Sequence, residues 1–133
     1  MPDLARLFAP RPLGSAEGTT VRLVHALRLW VALARRHRNP RPMLRASLGL
    51  AEPAFCRFME TTVAAWPDPF AAAPPCASVL TADEATVAEL FHLADADRAE
   101  AAQHLLSDMF APDERRRLWQ AARDVVRALN ATA

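Results

Sequence analysis

Apolar residues recur with helical periodicity between residues 20 and 38, and this pattern constrains the fold more than any other feature. On a helical wheel they fill one continuous half: Leu23, Val24, Ala26, Leu27, Trp30, Val31, Leu33 and Ala34. The opposite half is mostly basic and is expected to face solvent: Arg22, His25, Arg28, Arg35 and Arg36. Such a helix extends about 28 Å, roughly the width of a domain of this length. We therefore predict that residues 20–38 form the central helix of the core, capped by Thr19 or Thr20.

The rest of the chain divides into shorter amphipathic segments bounded by caps and prolines. Helices are predicted at 42–48 and 53–66, after a Thr81-Ala-Asp-Glu84 capping box, after an Asp97 cap, and from Pro112 onwards. Strand signals are lacking, because no segment alternates apolar and polar residues and no Asn-Gly or Asp-Gly turn occurs. The predicted fold class is all-α, a compact bundle of five or six helices with no sheet.

Length and composition predict a single domain. The chain has 133 residues, 52% of them apolar, and a formal net charge of +1. The prolines and glycine of residues 1–19 indicate an N-terminal arm with a helical turn at residues 4–8, followed by one helical domain at 20–133. No transmembrane segment or signal-peptide pattern is recognisable, so we expect a soluble cytoplasmic protein.

The charges are distributed unevenly along the chain. Residues 1–66 hold ten Arg and four acidic residues, a net charge of +6, whereas residues 67–133 hold six Arg and eleven acidic residues, a net charge of −5. The abundance of Arg and Ala and the lack of Lys have two interpretations: codon usage in a GC-rich genome, or the use of Arg as the better binder of phosphates and carboxylates. The functional interpretation is that the basic side steers a charged partner, or that two copies pair head to tail. Alternatively, both sides are solvated and neutralise each other across the fold.

A helix-turn-helix is the first candidate for specific chemistry. The stretch Leu48-Gly-Leu-Ala-Glu-Pro-Ala-Phe-Cys-Arg57 resembles the turn and the start of the recognition helix in small bacterial repressors. The resemblance implies that Arg57, Glu60 and Thr61 face the major groove. Two positions depart from the pattern: Arg45 stands where a small residue allows close helix contact, and Ala51 stands where a polar cap is usual.

Arginines supply the candidate contacts with nucleic acid or another anionic partner. These residues are Arg35, Arg36, Arg38, Arg41, Arg45 and Arg57. Guanidinium groups bind phosphates and carboxylates through paired hydrogen bonds. Weak binding of nucleic acid at low salt is expected from such a run.

Enzymatic signatures are lacking, and we expect no catalytic residue, cofactor or metal. Glu89 and His92 have the Glu-x-x-His spacing of bundle di-iron sites, but no second copy accompanies them, and Glu100 and His104 also fall on a polar face. Cys56 is predicted to pack as a small apolar residue, and Cys76 has no charged neighbour in sequence. The three glycines cannot form a phosphate-binding loop.

Residues 20–130 resemble small helical proteins of unknown function from GC-rich proteobacteria. The resemblance is carried by Leu33-Ala-Arg-Arg-His-Arg-Asn-Pro-Arg-Pro42, Trp66-Pro-Asp-Pro-Phe70, Pro75-Cys76 and Thr81-Ala-Asp-Glu84. It implies a bacterial helical protein but no activity, cofactor or site.

The residues therefore favour a non-enzymatic protein–protein interaction module that self-associates as a dimer. Aromatic residues and a methionine near helix ends are the candidates for the apolar centre of that interface: Phe70, Met109, Phe110 and Trp119. The alternative is a DNA-binding regulator that uses the helix-turn-helix of residues 43–66.

Overall fold

The computed structural model describes residues 18–131. Within them lie six α-helices: α1 (Gly18–Arg35), α2 (Arg41–Leu48), α3 (Glu52–Ala65), α4 (Ala82–Asp95), α5 (Ala99–Leu106) and α6 (Pro112–Ala131). This part of the chain contains no β-strand, so the predicted all-α fold is confirmed. The predicted turn at 4–8 and most of the predicted arm lie outside the described residues. Gly18 and Thr19, which we assigned to the arm, already belong to α1.

Helix α1 buries the apolar half that its sequence pattern predicts. Six of the eight residues are buried, and Trp30 and Ala34 are half-buried. The prediction that it is the central helix of the core is wrong, because α6 packs more extensively against the other helices than α1 does. The helix ends at Arg35, three residues earlier than predicted, because His37 adopts a left-handed conformation with φ of 55°. The backbone N–H of Arg38 donates to the carbonyl of Leu33 at 2.9 Å, which is the hydrogen bond of a Schellman C-cap.

Helices α2 and α3 form a corner around a single 3-10 turn at Gly49–Ala51. Gly49 has φ of 59°, which favours glycine at this position. One side of α3 is buried and packs most extensively against α6. Its exposed residues are Pro53, Arg57, Glu60, Val63 and Ala64, while Thr61 is half-buried. The chain therefore has the connectivity of a helix-turn-helix, with the second helix packed into the core.

Aromatic rings join the segment after α3 to the other helices. The Trp66 ring lies 4.9 Å from that of Phe70 and 5.3 Å from that of Phe110, both edge-on. Phe70, Phe110 and Trp119 are buried and Met109 is half-buried. The prediction that these aromatic residues form the centre of a dimer interface is therefore wrong, because they stabilise the core of one chain.

The two helix starts predicted around α4 and α5 have different outcomes. The Thr81 capping box is confirmed: the Thr81 hydroxyl accepts from the Glu84 N–H at 3.0 Å, and the Glu84 carboxylate accepts from the Thr81 N–H at 2.9 Å. The Asp97 cap is wrong. Asp97 has φ of 55° and terminates α4, and α5 begins after Arg98 without a side-chain cap. The Asp97 carboxylate instead lies 3.6 Å from Arg123 of α6.

Candidate anion-binding surface

All six arginines that the sequence singled out are exposed. Five of them follow one another from the end of α1 to the last turn of α2, and we call this set the arginine corner: Arg35, Arg36, Arg38, Arg41 and Arg45. The sixth, Arg57, lies on the exposed side of α3, three residues before Glu60. The structure therefore brings five of the candidates into one connected segment and places Arg57 on the following helix.

Glu52 partly compensates the charge of the arginine corner. It is the first residue of α3, its side chain is fully buried, and each of its oxygens accepts a hydrogen bond at 3.2 Å, one from Arg41 and one from Arg45. The side chains of Arg41 and Arg45 stay 44% and 70% exposed. Arg41 also lies 3.9 Å from Glu60. Arg45 therefore has a role at a position where the repressor pattern has a small residue: its guanidinium is a counterion of Glu52 in α3.

The other three members of the corner have no such counterion among the described residues. Within residues 18–131, Arg35, Arg36 and Arg38 form no ion pair with any carboxylate. Sequence already indicated this excess, because no acidic residue occurs between Gly18 and Ala51. The uncompensated positive charge of the corner therefore lies at the end of α1 and in the turn that follows.

Cys56 lies one helical turn after Glu52 and is buried. Burial, followed by the negative charge of Glu52 and a hydrogen bond to its carboxylate, raises the pKa of the Cys56 thiol to about 11. A thiol with that pKa remains protonated at neutral pH, and the thiolate is the reactive form. Cys56 is therefore a packing residue, as the sequence predicted.

Residues 18–131 contain one ion pair with both side chains fully buried, and the sequence did not predict it. Arg28, which the helical wheel placed on the solvated half of α1, is buried together with Glu84, and both side chains are 0% exposed. Its Nε donates to Glu84 Oε2 at 2.9 Å and its Nη2 to Glu84 Oε1 at 3.1 Å. The guanidinium also donates to the carbonyls of Ala77 at 2.7 Å and Val79 at 3.0 Å. The expectation that Arg28 is a surface residue is therefore wrong.

Both oxygens of Glu84 accept a second hydrogen bond from the backbone. The donors are the N–H groups of Thr81 at 2.9 Å and Ala73 at 3.0 Å. Burial alone would raise the pKa of Glu84, but the hydrogen bonds from Arg28, Thr81 and Ala73, together with the Arg28 charge, hold the pKa below its ordinary value of 4.5. The Glu84 carboxylate therefore stays ionised at neutral pH, and the ion pair ties the segment between α3 and α4 to both α1 and α4.

The remaining sequence candidates come together in no recognisable site. Within residues 18–131 no group of three or more His, Cys, Asp or Glu side chains is arranged to hold a metal ion. Glu89 is half-buried, His92, Glu100 and His104 are exposed, and Cys76 is an exposed free thiol. No helix of this part of the chain is long and apolar enough to cross a membrane.

Comparison with known proteins adds no further identification, since no protein-family model, curated protein or solved structure matches this chain.

Proposed function

We propose that this chain is a non-enzymatic protein–protein interaction module that binds an acidic partner surface through the arginine corner. The observation that carries the proposal is a contrast between arginines. Buried Arg28 is fully compensated by Glu84, whereas Arg35, Arg36 and Arg38 are exposed and have no counterion in the described part of the chain. Planar guanidinium groups bind carboxylates in paired hydrogen bonds, so these three residues suit an acidic protein surface.

Two features favour an acidic protein over DNA as the partner. The exposed side of α3 offers a single arginine, Arg57, beside acidic Glu60 and the apolar or small residues Pro53, Val63 and Ala64. These side chains can donate few hydrogen bonds to the edges of DNA bases. Much of the affinity of a DNA-binding protein comes from cations that neutralise several phosphates of the backbone. In the described part of the chain, three of the five arginines of the corner have no carboxylate partner, whereas Glu52 pairs with Arg41 and Arg45.

Fluorescence anisotropy with two probes tests the proposal. One probe is a fluorescein-labelled peptide of Glu, Asp, Leu and Ser, and the other is a labelled duplex DNA, both at about 150 mM salt, where long-range attraction is screened. The test variant is Arg36→Glu with Arg38→Glu. The matched control is Arg117→Glu with Arg127→Glu, which reverses the charge of two exposed arginines on α6. Because both variants change the net charge equally, they separate a specific surface from general attraction.

We expect the wild-type chain and the α6 control to bind the peptide, and the corner variant to lose about tenfold or more in affinity. Equal losses in the two variants would contradict a specific surface. Sequence-dependent duplex binding with Kd near about 10⁻⁸ M would instead support the DNA-binding regulator.

A second copy of the chain is a candidate source of the acidic surface. Exposed carboxylates in the second half of the chain include Asp68, Asp95, Glu100 and Asp108. Because Phe70, Phe110 and Trp119 are buried, they supply no apolar contact to such a dimer, and its ion pairs are worth about 0–1 kcal/mol each and are screened by salt. Light scattering at low and high salt tests this. Masses that exceed 14.6 kDa at low salt and fall back at high salt would support self-association.

A further inference from the structure

A groove of about 260 Å³ lies between the second half of α1 and the segment that follows α3. Along α1 its lining runs from Arg28 through Val31 and Ala32 to Arg35 and Arg36. The facing wall consists of residues 72–75. The groove therefore joins an apolar middle section to two members of the arginine corner.

The facing wall is fixed by hydrogen bonds to its neighbours. The N–H of Ala71 donates to the Asp83 carboxylate at 2.8 Å, and the N–H of Ala73 donates to Glu84. The Thr81 hydroxyl donates to the carbonyl of Ala71 at 2.7 Å. Pro74 and Pro75 restrict the backbone further. A wall held in this way loses little conformational freedom when a ligand binds, so the groove is preorganised.

The groove is positively charged near the C-terminal end of α1, where Arg35 and Arg36 line it. Glu84 neutralises Arg28, whereas Arg35 and Arg36 have no carboxylate partner, and no acidic residue of the described chain lines the groove. The groove thus suits a ligand that combines a carboxylate with a small apolar group. Its volume is below the roughly 300–1,000 Å³ of small-molecule sites. It therefore fits one or two side chains of a peptide better than a complete cofactor.

We propose that this groove is the docking site for an extended acidic segment of the partner protein. In this assignment, Arg35 and Arg36 pair with a carboxylate of that segment, and a neighbouring apolar side chain packs against Val31 and Pro75. The inference rests on the proposed function, because it specifies where on the arginine corner the partner binds and in what form.

Filling the groove without changing its charge tests the assignment. Ala32→Trp places an indole in the groove, and Ala46→Trp places the same side chain at an exposed position on α2, near Arg45 and outside the groove. Both variants are titrated with the labelled acidic peptide after thermal unfolding confirms that they are folded. We expect Ala32→Trp to weaken binding by about tenfold or more and Ala46→Trp to change it by less than about twofold.

The outcomes separate this inference from the proposed function. If Ala32→Trp binds the peptide as well as the wild type does, while Arg36→Glu with Arg38→Glu abolishes binding, the groove assignment is wrong and the proposed function stands. If the wild-type chain does not bind the peptide at all, both are wrong. If the wild-type chain is a dimer and Ala32→Trp is a monomer, the groove binds a second copy of the chain. The assignment to a segment of a different partner protein would then be wrong.

A measurement on the wild-type chain covers the case in which Ala32→Trp does not fold. Addition of the unlabelled peptide is expected to shift the amide NMR signals of Ala32, Ala72 and Ala73, which lie on both walls of the groove. Shifts confined to α2, at Arg41 and Arg45, would place the peptide elsewhere on the corner and contradict the groove.

Discussion

Glu84 and Glu52 are both fully buried glutamates in the first turn of a helix, and each pairs with arginine, but their arginines differ in exposure. Arg28 is as buried as Glu84, and its guanidinium makes four hydrogen bonds to that carboxylate and to backbone carbonyls. The partners of Glu52 reach it from the surface and remain 44% and 70% exposed. Burial of the acid is therefore not what distinguishes the two sites. The surroundings of the arginine determine how much stability is lost when the acid is removed.

Removal of the acid is expected to destabilise the fold to different extents at the two sites. At the first site it leaves a charged guanidinium enclosed by protein, where solvation is poor. At the second site the guanidinium groups of Arg41 and Arg45 can turn into water. The Arg28–Glu84 pair is therefore structural. Arg41 and Arg45 pair with Glu52 and remain accessible to a partner.

Glu84→Gln is expected to have the largest effect on stability. The amide cannot neutralise Arg28, so the free energy of unfolding should fall by about 3–5 kcal/mol. Urea unfolding measures the loss, and Glu89→Gln on the half-buried side of the same helix is the control, with an expected change within about 0.5 kcal/mol. A loss of less than about 1 kcal/mol for Glu84→Gln would remove the distinction between the sites.

The same pair should make stability depend on pH in acid. Because the pKa of Glu84 is lowered in the folded chain, the unfolded chain binds more protons near and below pH 4.5. The contribution of Glu84 is thus complete above that value and is lost as the pH falls through the lowered pKa. Urea midpoints measured between about pH 3 and pH 6 should show a shallower decline in Glu84→Gln than in the wild type. Parallel declines would contradict the assignment.

Glu52→Gln should cost less than Glu84→Gln does. The substitution weakens two hydrogen bonds, but Arg41 and Arg45 can be hydrated, so we expect a loss of about 1 kcal/mol in the free energy of unfolding. Urea unfolding beside Glu84→Gln under identical conditions gives the comparison. Equal losses in the two variants would show that the exposure of the cation does not matter.

Arg45→Ala is expected to have the smallest effect. Its side chain is 70% exposed, and Arg41 continues to pair with Glu52, so stability should change by no more than about 0.5 kcal/mol. Thermal unfolding of Arg45→Ala and Arg28→Ala in parallel tests this. A drop for Arg45→Ala that matches the drop for Arg28→Ala would contradict the ranking of the two sites.

Sequence was sufficient where the determinants are local. The apolar half of α1 follows from periodicity, and the Thr81 capping box follows from a three-residue spacing. Arg28 was misplaced because a helical wheel assigns a charged residue to solvent unless its partner is known, and Glu84 lies 56 residues further along the chain. The role of Asp97 is not predictable as a helix end, because left-handed conformations are usually signalled by glycine and this position is an aspartate.

The candidate site was also only partly predictable. The exposure of the arginine corner follows from a run of arginines without acidic residues, and the structure places all five at the surface. The groove was not predictable, because one wall comes from α1 and the other from residues 72–75, which only the folded chain brings together.

Glu84 has one partner close in sequence and one far along the chain, which bears on the order of folding. It contacts Thr81 three residues away and Arg28 fifty-six residues away, and the entropy lost on loop closure increases with chain separation. We therefore expect the capped first turn of α4 to form early and to keep its carboxylate hydrated until α1 docks. At docking, both charges lose their water together, so assembly of α1, α4 and the segment between α3 and α4 is a single cooperative event.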